Sequence, residues 1–497
     1  MNIARDLYKT SLTLATDLYQ LTMAYAYWKS GIAEKESVFN LFFRENPFKG
    51  GFTINCGLSY AIDYINNFRF TDDDTAYLKT LKGSDGEPLF EEAFLQYLKN
   101  LKFTCDVDGI PEGKAVFPHE PLLRVKGPIL QAQLIETPML NIINYQTLIA
   151  TKAARMNIAA KGEPVLEFGL RRAHGLDGAL AASRAAYIGG CGSTSNVLAG
   201  KLFGIPVSGT HAHSWVMAFD DELEAFKAYA EAMPNNCILL VDTYNTIEGI
   251  KHAIEVGKIL REKNRKLLGI RIDSGDLAYF SIEARKLLDA EGFTDTNVVA
   301  SNDLDEYIIA SLKEQDARIN VWGIGTKLVT AFEQPALGAV YKLAAVKSDA
   351  GKWEYKVKLS EQAIKVNNPG IQQVRRFYKN GQQGQQSLMA DMLYDTLLPL
   401  SKKHKIIDPM DPTRRKIVHP DDLYFEEMLV PIFKKGKQVY DCPDIHTIRD
   451  TTAQSIDELP SGVKRFVNPH SYPVGLEDKL YKAKTELILK LRNLNDE

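Results

Sequence analysis

The middle of the chain alternates between short apolar runs and longer amphipathic stretches. The apolar runs end in small and polar residues: PVLEFGLRRAHG, IPVSGTHAHS, CILLVDTYNT, LLGIRIDSGDL, NVVASNDLDE and VWGIGTKLVT. The stretches between them, such as TIEGIKHAIEVGKILREK, have helical periodicity. Strands that alternate with helices predict parallel βαβ units, and continuous apolar strands predict burial on both faces. With about six such strands, we expect an α/β fold, either a (β/α) barrel or an open doubly wound sheet.

The two flanks of this region have a different pattern. The segment TDLYQLTMAYAYWKSG predicts a helix, and SVFNLFFRE predicts a strand. After Val346 the alternation stops, and hairpin-like segments precede an amphipathic C-terminal helix. We therefore expect an α/β N-terminal domain over residues 1–152 and a barrel over 153–346. Residues 347–497 form a C-terminal region that is expected to pack partly on the N-terminal domain.

The composition indicates a folded protein without a general electrostatic partner. The chain has 497 residues, 45% of them apolar, and a net charge of −3. This charge gives no reason to bind nucleic acid or an anionic membrane. No apolar stretch reaches the roughly 18 residues that a membrane span needs. Because the five cysteines are scattered and the N-terminal segment lacks the pattern of a signal peptide, we expect a cytoplasmic protein with reduced thiols.

Polar side chains collect where the predicted strands end, which is where active sites lie in both candidate folds. Arg171 and Arg172 follow the first strand, and an arginine there suits a phosphate or a carboxylate. Neighbouring residues of an extended chain point to opposite faces, so we expect at most one of the two to face a site. Asp242 follows one later strand, and Arg271 and Asp273 lie on the same face of the next strand. Each aspartate could orient Mg²⁺, act in acid–base chemistry, or only cap the following helix.

Two further strand ends have the composition of phosphate-binding turns. Gly323, Gly325 and Thr326 follow one apolar run, and Ser301 and Asn302 follow the run before it. Glycines let a phosphate approach the backbone, and hydroxyl and N–H groups bind it. Late strands of a barrel are the usual place for such a site.

The segment GTHAHSW contains two histidines, His211 and His213, and allows three interpretations. They could be zinc ligands, with Asp242 and Asp273 completing the set. They could be a buried structural pair, although a glycine turn at a strand end is a poor place for one. One of them could instead be a nucleophile, because a neutral imidazole can accept a phosphoryl group when a neighbour fixes its tautomer.

The ordered set of these segments resembles one enzyme family. TDLYQLTMAYAYWKSG, EFGLRRAHG, GTHAHSW, DTYNT, GIRIDSGDL, SNDLDE and GIGTKLVT follow one another as in the nicotinate phosphoribosyltransferases, a type II phosphoribosyltransferase family. The resemblance implies an irregular (β/α) barrel with fewer than eight regular strands, an α/β N-terminal domain and a C-terminal extension. It implies ATP-dependent synthesis of nicotinate mononucleotide from nicotinate and 5-phosphoribosyl 1-pyrophosphate, the first step of NAD synthesis from nicotinate. It also implies Mg²⁺, a phosphohistidine and a homodimer with shared active sites.

The resemblance also implies roles for residues of this chain. His213 would be the phosphorylated histidine, and His211 would be a neighbour that is not essential. The nicotinate contacts would be Tyr19, Thr210 and Arg271, with Phe168 and Arg171 as further pocket residues. Thr326 would contact the phosphoribosyl group, next to the turn residues Gly323, Gly325, Ser301 and Asn302 described above. Asp273 and Asp242 would act in catalysis, either by orienting Mg²⁺, with Asp273 the first candidate ligand, or by holding the His213 ring.

Four alternatives lead to different expectations. Nicotinamide phosphoribosyltransferases carry an aspartate in the loop that corresponds to Ser193–Asn196, where this chain has no acid, so the loop favours a carboxylate substrate. Quinolinate phosphoribosyltransferases are much shorter and do not use ATP. A barrel metallohydrolase using His211, His213 and an aspartate would bind stoichiometric zinc. A non-catalytic binding protein would not need His213, Arg271 and Asp273 together.

Overall fold

The computed structural model describes residues 10–380, 386–401, 403–419 and 423–494. Contacts between residues divide the chain into two units. Unit 1 comprises Met1–Thr147, Ala336–Asp444 and Ala453–Glu497, and unit 2 comprises Leu148–Pro335 and Ile445–Thr452. The domain boundaries expected after residues 152 and 346 stay a prediction.

The strands are numbered in chain order. They are β1 (Glu36–Phe42), β2 (Thr53–Ile54), β3 (Asp106–Gly109), β4 (Ala115–Val116), β5 (Leu123–Pro128), β6 (Val165–Glu167), β7 (Ser193–Thr194), β8 (Ile238–Leu240), β9 (Gly269–Ile272), β10 (Asn297–Ala300), β11 (Val321–Ile324), β12 (Val340–Lys347), β13 (Trp353–Tyr355), β14 (Gln372–Asn380), β15 (Gln386–Asp395), β16 (His404–Ile407), β17 (Arg415–Val418), β18 (Phe425–Glu427), β19 (Val430–Lys434), β20 (Lys437–Gln438) and β21 (Val474–Glu477).

The α-helices are numbered in the same way. They are α1 (Leu18–Lys29), α2 (Leu58–Asn67), α3 (Asp72–Thr80), α4 (Glu92–Asn100), α5 (Ile129–Leu134), α6 (Glu136–Ala160), α7 (Leu176–Ile188), α8 (Val197–Phe203), α9 (His213–Val216), α10 (Glu222–Ala232), α11 (Thr246–Glu262), α12 (Leu277–Ala290), α13 (Glu306–Glu314), α14 (Thr326–Val329), α15 (Ile445–Glu458) and α16 (Asp478–Leu491). None of the helices in the described ranges is both long enough and apolar enough to cross a membrane.

Unit 2 is built on a parallel six-stranded sheet with the order β7-β6-β11-β10-β9-β8. Its central strands are mostly apolar and buried; in β10, for example, Val298, Val299 and Ala300 are all buried. Helices α11, α12 and α13 connect β8 to β9, β9 to β10 and β10 to β11, so these strands end at the same edge of the sheet. This arrangement confirms the α/β fold class, with fewer than eight regular strands in the described residues.

Three polar residues cap the helices that follow β8, β9 and β10. The side chains of Asn245, Asp276 and Asp305 accept hydrogen bonds from the first backbone N–H groups of α11, α12 and α13. Asp242 and Asp273 each lie three residues before a cap. The capping alternative for these two aspartates is therefore wrong, and both side chains are available to a site at the strand ends.

Unit 1 contains two larger sheets. The first is antiparallel, with the order β13-β12-β1-β5-β3-β19-β20, so strands from late in the chain flank the early strands β1, β3 and β5. The second has the order β17-β16-β21-β15-β14-β18. Its core consists of apolar side chains from four of these strands: Phe377, Ala390, Met392, Ile406 and Val418.

Gly249, in the first turn of α11, packs against the backbone that follows β8. A Cβ atom at this position would lie 2.1 Å from the carbonyl oxygen of Val241. We expect Gly249→Ala to lower the free energy of unfolding by about 1–3 kcal/mol, because α11 must move away from the sheet. Gly178→Ala in α7 is the matched control, since a Cβ there would meet nothing within 4 Å. Urea unfolding checks the pair, and equal effects of the two substitutions would contradict this packing.

Candidate active site

Two adjoining cavities lie at the edge of the unit 2 sheet where the strands end. A cavity of 340 Å³ is lined by Phe168, Leu170, Arg171, Ser195, Gly209, Thr210, His211, Ala212, His213, Leu240, Arg271 and Asp273. A cavity of 170 Å³ is lined by Phe168, Arg171, Arg172, Arg271, Asp273, Ser301, Asn302, Asp303, Gly323, Gly325 and Thr326. Four residues are common to both. The structure thus brings the predicted site residues of unit 2 together, with Asp242 directly behind the cavity wall.

Arg271 lies in β9 and is held by three hydrogen bonds. Its Nε donates to Ser301 Oγ at 2.8 Å, Nη1 donates to Thr210 Oγ1 at 2.9 Å, and Nη2 donates to Asp273 Oδ1 at 3.1 Å. A guanidinium group has five N–H donors, so two remain. Since the three contacts fix the plane of the group, the remaining donors have a fixed direction. The geometry suits a planar anion such as a carboxylate.

His213 begins the short helix α9 and its side chain is 39% exposed. Its Nδ1 lies 3.2 Å from Thr243 Oγ1, and its Nε2 lies 4.0 Å from Asp242 Oδ1. The Asp242 side chain is fully buried. Its Oδ2 accepts hydrogen bonds from the Asp273 backbone N–H at 2.8 Å and from Ser274 Oγ at 2.6 Å, while Oδ1 has no hydrogen-bond partner in the described chain. A small rotation of the imidazole would bring Nε2 into hydrogen-bonding distance of that oxygen.

His211 is a structural residue, unlike His213. It is only 8% exposed, and its Nε2 accepts a hydrogen bond from the Leu240 backbone N–H at 3.2 Å. Its Nδ1 faces the Ala212 carbonyl oxygen at 3.3 Å, and the Tyr229 ring packs against it with centroids 4.7 Å apart. Burial lowers the pKa of His211, which favours the neutral ring that these contacts need. The interpretation of the two histidines as a buried structural pair is therefore wrong, because only His211 is buried and the His213 side chain is 39% exposed.

These contacts also remove the zinc interpretation of the histidine pair. Nε2 of His211 is occupied by a backbone N–H group, so it does not have a free lone pair for a metal. Within the described ranges, no group of three or more His, Cys, Asp or Glu side chains is arranged to hold a metal ion. A barrel metallohydrolase would need such a ligand set.

Arg171 and Arg172 both line the 170 Å³ cavity, so the expectation that at most one of them faces a site is wrong. The reason is the backbone conformation, because Leu170–Arg172 is a 3-10 turn and not an extended strand. The turn is anchored by Glu167, whose buried carboxylate accepts hydrogen bonds from the Gly169 backbone N–H and from Thr194 Oγ1.

The two predicted phosphate-binding turns lie side by side. Lys327 Nζ donates to Asp305 Oδ2 at 2.6 Å, which ties the turn after β11 to the turn after β10. Burial alone would raise the pKa of Asp305, but the hydrogen bonds from Lys327 and the Ile308 backbone outweigh it and lower this pKa. Gly323 has a further role, because a Cβ there would lie 2.9 Å from the Phe168 ring. Its missing side chain makes room for Phe168 at the cavity wall.

Tyr19 lies in α1 of unit 1, where it is 47% exposed. Burial raises the pKa of its hydroxyl, and the charge of Glu136 adds to the effect. The contact between Tyr19 and nicotinate stays a prediction.

The site residues predicted from the sequence did not include three residues that hold the site together. Thr243 contacts His213, Ser274 contacts Asp242, and Glu167 anchors the arginine turn. Thr243 and Ser274 each directly follow a predicted catalytic aspartate, so a search for hydroxyl neighbours of those acids would have found them.

The chain matches family models along most of its length. The model of the nicotinate phosphoribosyltransferase N-terminal domain matches residues 14–144, the model of the nicotinate phosphoribosyltransferase family matches 164–381, and the model of its C-terminal domain matches 371–484.

Curated proteins and solved structures give the same result. The chain is 46% identical over 489 residues to the nicotinate phosphoribosyltransferase of Bacillus subtilis, covering 98% of this chain and 97% of that protein. It is 34% identical to the human enzyme of the same name, covering 94% and 95%. The crystal structure of human nicotinic acid phosphoribosyltransferase has a TM-score of 0.82 at 32% identity, covering 95% of this chain and 99% of that chain. A nicotinate-nucleotide pyrophosphorylase from Pyrococcus furiosus, with a TM-score of 0.68 at 21% identity, shares the fold.

Replacing His211 tests its structural role. We expect His211→Leu to lower the free energy of unfolding by about 1–3 kcal/mol, because the buried Leu240 N–H loses its acceptor. His211→Gln carries an oxygen that can accept the same hydrogen bond, so it should lose less stability. Urea unfolding of both variants is the measurement. Similar losses for leucine and glutamine would show that packing against Tyr229, and not the hydrogen bond, is what matters.

Proposed function

The chain belongs to the nicotinate phosphoribosyltransferase family, and we propose that it joins nicotinate to 5-phosphoribosyl 1-pyrophosphate, giving nicotinate mononucleotide and pyrophosphate. The observation that carries this proposal is the 46% identity to a nicotinate phosphoribosyltransferase over nearly the whole of both chains. The reaction would be the first step of NAD synthesis from nicotinate. Its small substrates fit a site made of two joined cavities with several cationic side chains.

Arg271 supports the choice of a carboxylate substrate. Its two remaining N–H donors can bind the nicotinate carboxylate, and the Phe168 ring lies 6.0 Å from the guanidinium carbon as a wall for the pyridine ring. Ser195 lines the same cavity, and the loop around it has no acid. An aspartate there would repel a carboxylate, so the loop favours nicotinate over nicotinamide.

His213 is the residue that would carry a phosphoryl group from ATP. In this step the bond between the γ-phosphorus and its bridging oxygen breaks, ADP leaves, and a nitrogen–phosphorus bond forms on the imidazole. After a small rotation of the ring, Asp242 Oδ1, now 4.0 Å away, would accept a hydrogen bond from Nε2–H, and the lone pair would then be on Nδ1, which faces Thr243 Oγ1. The phosphoryl group would bring up to about two negative charges close to the substrates, and this charge could order the cationic walls around phosphoribosyl pyrophosphate.

Mg²⁺ fits the site as a partner of the pyrophosphate group. The described hydrogen bonds of the Asp273 carboxylate involve Oδ1, and Asp273 lines both cavities, so Oδ2 is the candidate to hold the ion or its waters. Mg²⁺ usually binds one or two carboxylates together with substrate phosphates, and the 170 Å³ cavity is lined by two acids, Asp273 and Asp303. When bound, the ion would offset charge on the leaving pyrophosphate.

We propose a homodimer with shared active sites, to which Tyr19 would contribute. This residue belongs to unit 1, whereas the other proposed nicotinate contacts belong to unit 2. We propose that a tyrosine from the same chain or from a second copy stacks on the pyridine ring. We also propose a cytoplasmic enzyme, since the buried thiols Cys105, Cys191 and Cys237 are unpaired, as expected in a reducing compartment.

A product assay by mass spectrometry tests the reaction. The protein is mixed with phosphoribosyl pyrophosphate, Mg²⁺ and either nicotinate or nicotinamide, with and without ATP. We expect nicotinate mononucleotide, formed faster with ATP because the phosphohistidine favours substrate binding. Product from nicotinamide alone would indicate the sister activity, and no product from either base would contradict the proposal.

Replacing His213 tests the coupling to ATP. We expect His213→Ala to keep slow ATP-independent synthesis and to lose the fall in KM for phosphoribosyl pyrophosphate that ATP causes, a coupling typically about 5–150-fold. Transfer of ³²P from labelled ATP to the protein should vanish in the same variant. His174→Ala is the matched control, because this histidine is exposed and lines neither cavity. An unchanged ATP effect in His213→Ala would exclude the phosphohistidine mechanism.

A further inference from the structure

We propose that unit 1 contains a second binding site, in a cavity next to Lys484, for a small compound that joins a phosphate group to a flat ring, as a mononucleotide does. The site lies outside the cavities at the strand ends of unit 2. It does not depend on the reaction proposed above.

Lys484 is a buried cation without a paired acid. It lies on α16, it is 9% exposed, and its Nζ donates to Asn368 Oδ1 at 2.8 Å and to the Val366 carbonyl oxygen at 3.4 Å. Within the described part of the chain, neither partner is a carboxylate. A buried ammonium group is costly unless an anion compensates its charge, and one of its three N–H donors remains for such an anion. Burial lowers the pKa of Lys484 to about 8, so the amine is still mostly protonated at pH 7.

The cavity beside Lys484 has the size and charge for a phosphate group. It has a volume of 310 Å³, and its lining includes a second cation, Arg492. The one acid among its lining residues, Glu361, is exposed. Two cations around one anion match the charge of a phosphate monoester, which is close to −2 at neutral pH.

An adjoining cavity of 210 Å³ provides a place for the ring. Phe117 and Tyr472 stack on each other at 3.9 Å between centroids and form an aromatic wall. His119 and Asn368 line both cavities and can hydrogen-bond to ring atoms. Burial, together with the charge of Lys484, lowers the pKa of His119 to about 4, so this imidazole is neutral at pH 7 and can donate as well as accept.

A basic groove leads to the ring cavity. The groove has a volume of 660 Å³ and shares His470 and Tyr472 with that cavity. Arg414 and Arg415 lie on it at the exposed edge strand β17, where positive charge also prevents strand pairing. Arg465 lines the same groove from a separate segment, after α15. The need to prevent strand pairing at β17 does not explain this third arginine. Converging cations raise the local concentration of anions at the entrance.

Isothermal titration calorimetry with AMP tests the site, because AMP is neither a substrate nor a product of the proposed reaction. Lys484→Met removes the charge and keeps most of the side-chain volume. Lys482→Met is the matched control on the same helix, at a position that is exposed and paired with Asp478. We expect AMP to bind the wild type and the control with the same affinity. It should bind Lys484→Met at least about tenfold more weakly, because a hydrogen bond to a charged group is lost.

Two further measurements keep the proposal testable if Lys484→Met does not fold. Met410→Trp fills the junction of the two cavities from a half-exposed position and should abolish AMP binding. In the wild type, AMP affinity should fall between pH 7 and pH 9, because the amine loses its proton over this range while the phosphate keeps its charge.

The remaining outcomes count against the proposal. Equal AMP affinity of the Lys484→Met and Lys482→Met proteins would place the ligand elsewhere and overturn it. Absence of AMP binding to the wild type at millimolar concentration would do the same. Inorganic phosphate that binds at Lys484 as tightly as AMP would overturn the part of the proposal that gives the ligand a ring.

Discussion

The hydrogen bonds of Asp273 connect the residues on which the rest of the active site depends. Its backbone N–H donates to Asp242 at 2.8 Å, and its carboxylate accepts from Arg271 and Ser301. Asp242 in turn faces His213. A movement of Asp273 would therefore shift both the arginine proposed to bind nicotinate and the carboxylate proposed to hold the histidine. This path of contacts is the route by which the proposed phosphoryl group on His213 would affect the affinity for substrate.

The charges of the site explain why it needs more than one cation. Asp273 lines both cavities and Asp242 lies behind the wall, and Arg271 already interacts with Asp273. Nicotinate, pyrophosphate and a phosphoryl group would all add negative charge to this background. Arg171 and Arg172 line the 170 Å³ cavity, where they can offset part of that charge. The negative charge that the arginines leave uncompensated is the physical reason to expect a divalent cation with the pyrophosphate.

Sequence patterns were sufficient where the interactions are local. The connections from β8, β9 and β10 to the next helix have the same spacing, with a polar site residue such as Asp242 three positions before a helix cap such as Asn245. Strand ends and site residues could therefore be predicted together. The turn that presents Arg171 and Arg172 could not be predicted in this way. It depends on Glu167, whose carboxylate also binds the hydroxyl of Thr194, 27 residues further along the chain. Contacts of this kind have no signature in a window of neighbouring residues.

The two histidines show how a change of backbone conformation separates residues that the sequence presents as a pair. In an extended chain, His211 and His213 would share a face, because side chains two positions apart point the same way. Here the chain is extended at Ala212 and becomes helical at His213. His211 therefore turns inward and binds the Leu240 N–H, while His213 turns to the cavity beside Asp242. His211 is only 8% exposed whereas the His213 side chain is 39% exposed, so His213 is the histidine that the proposed phosphoryl donor could approach.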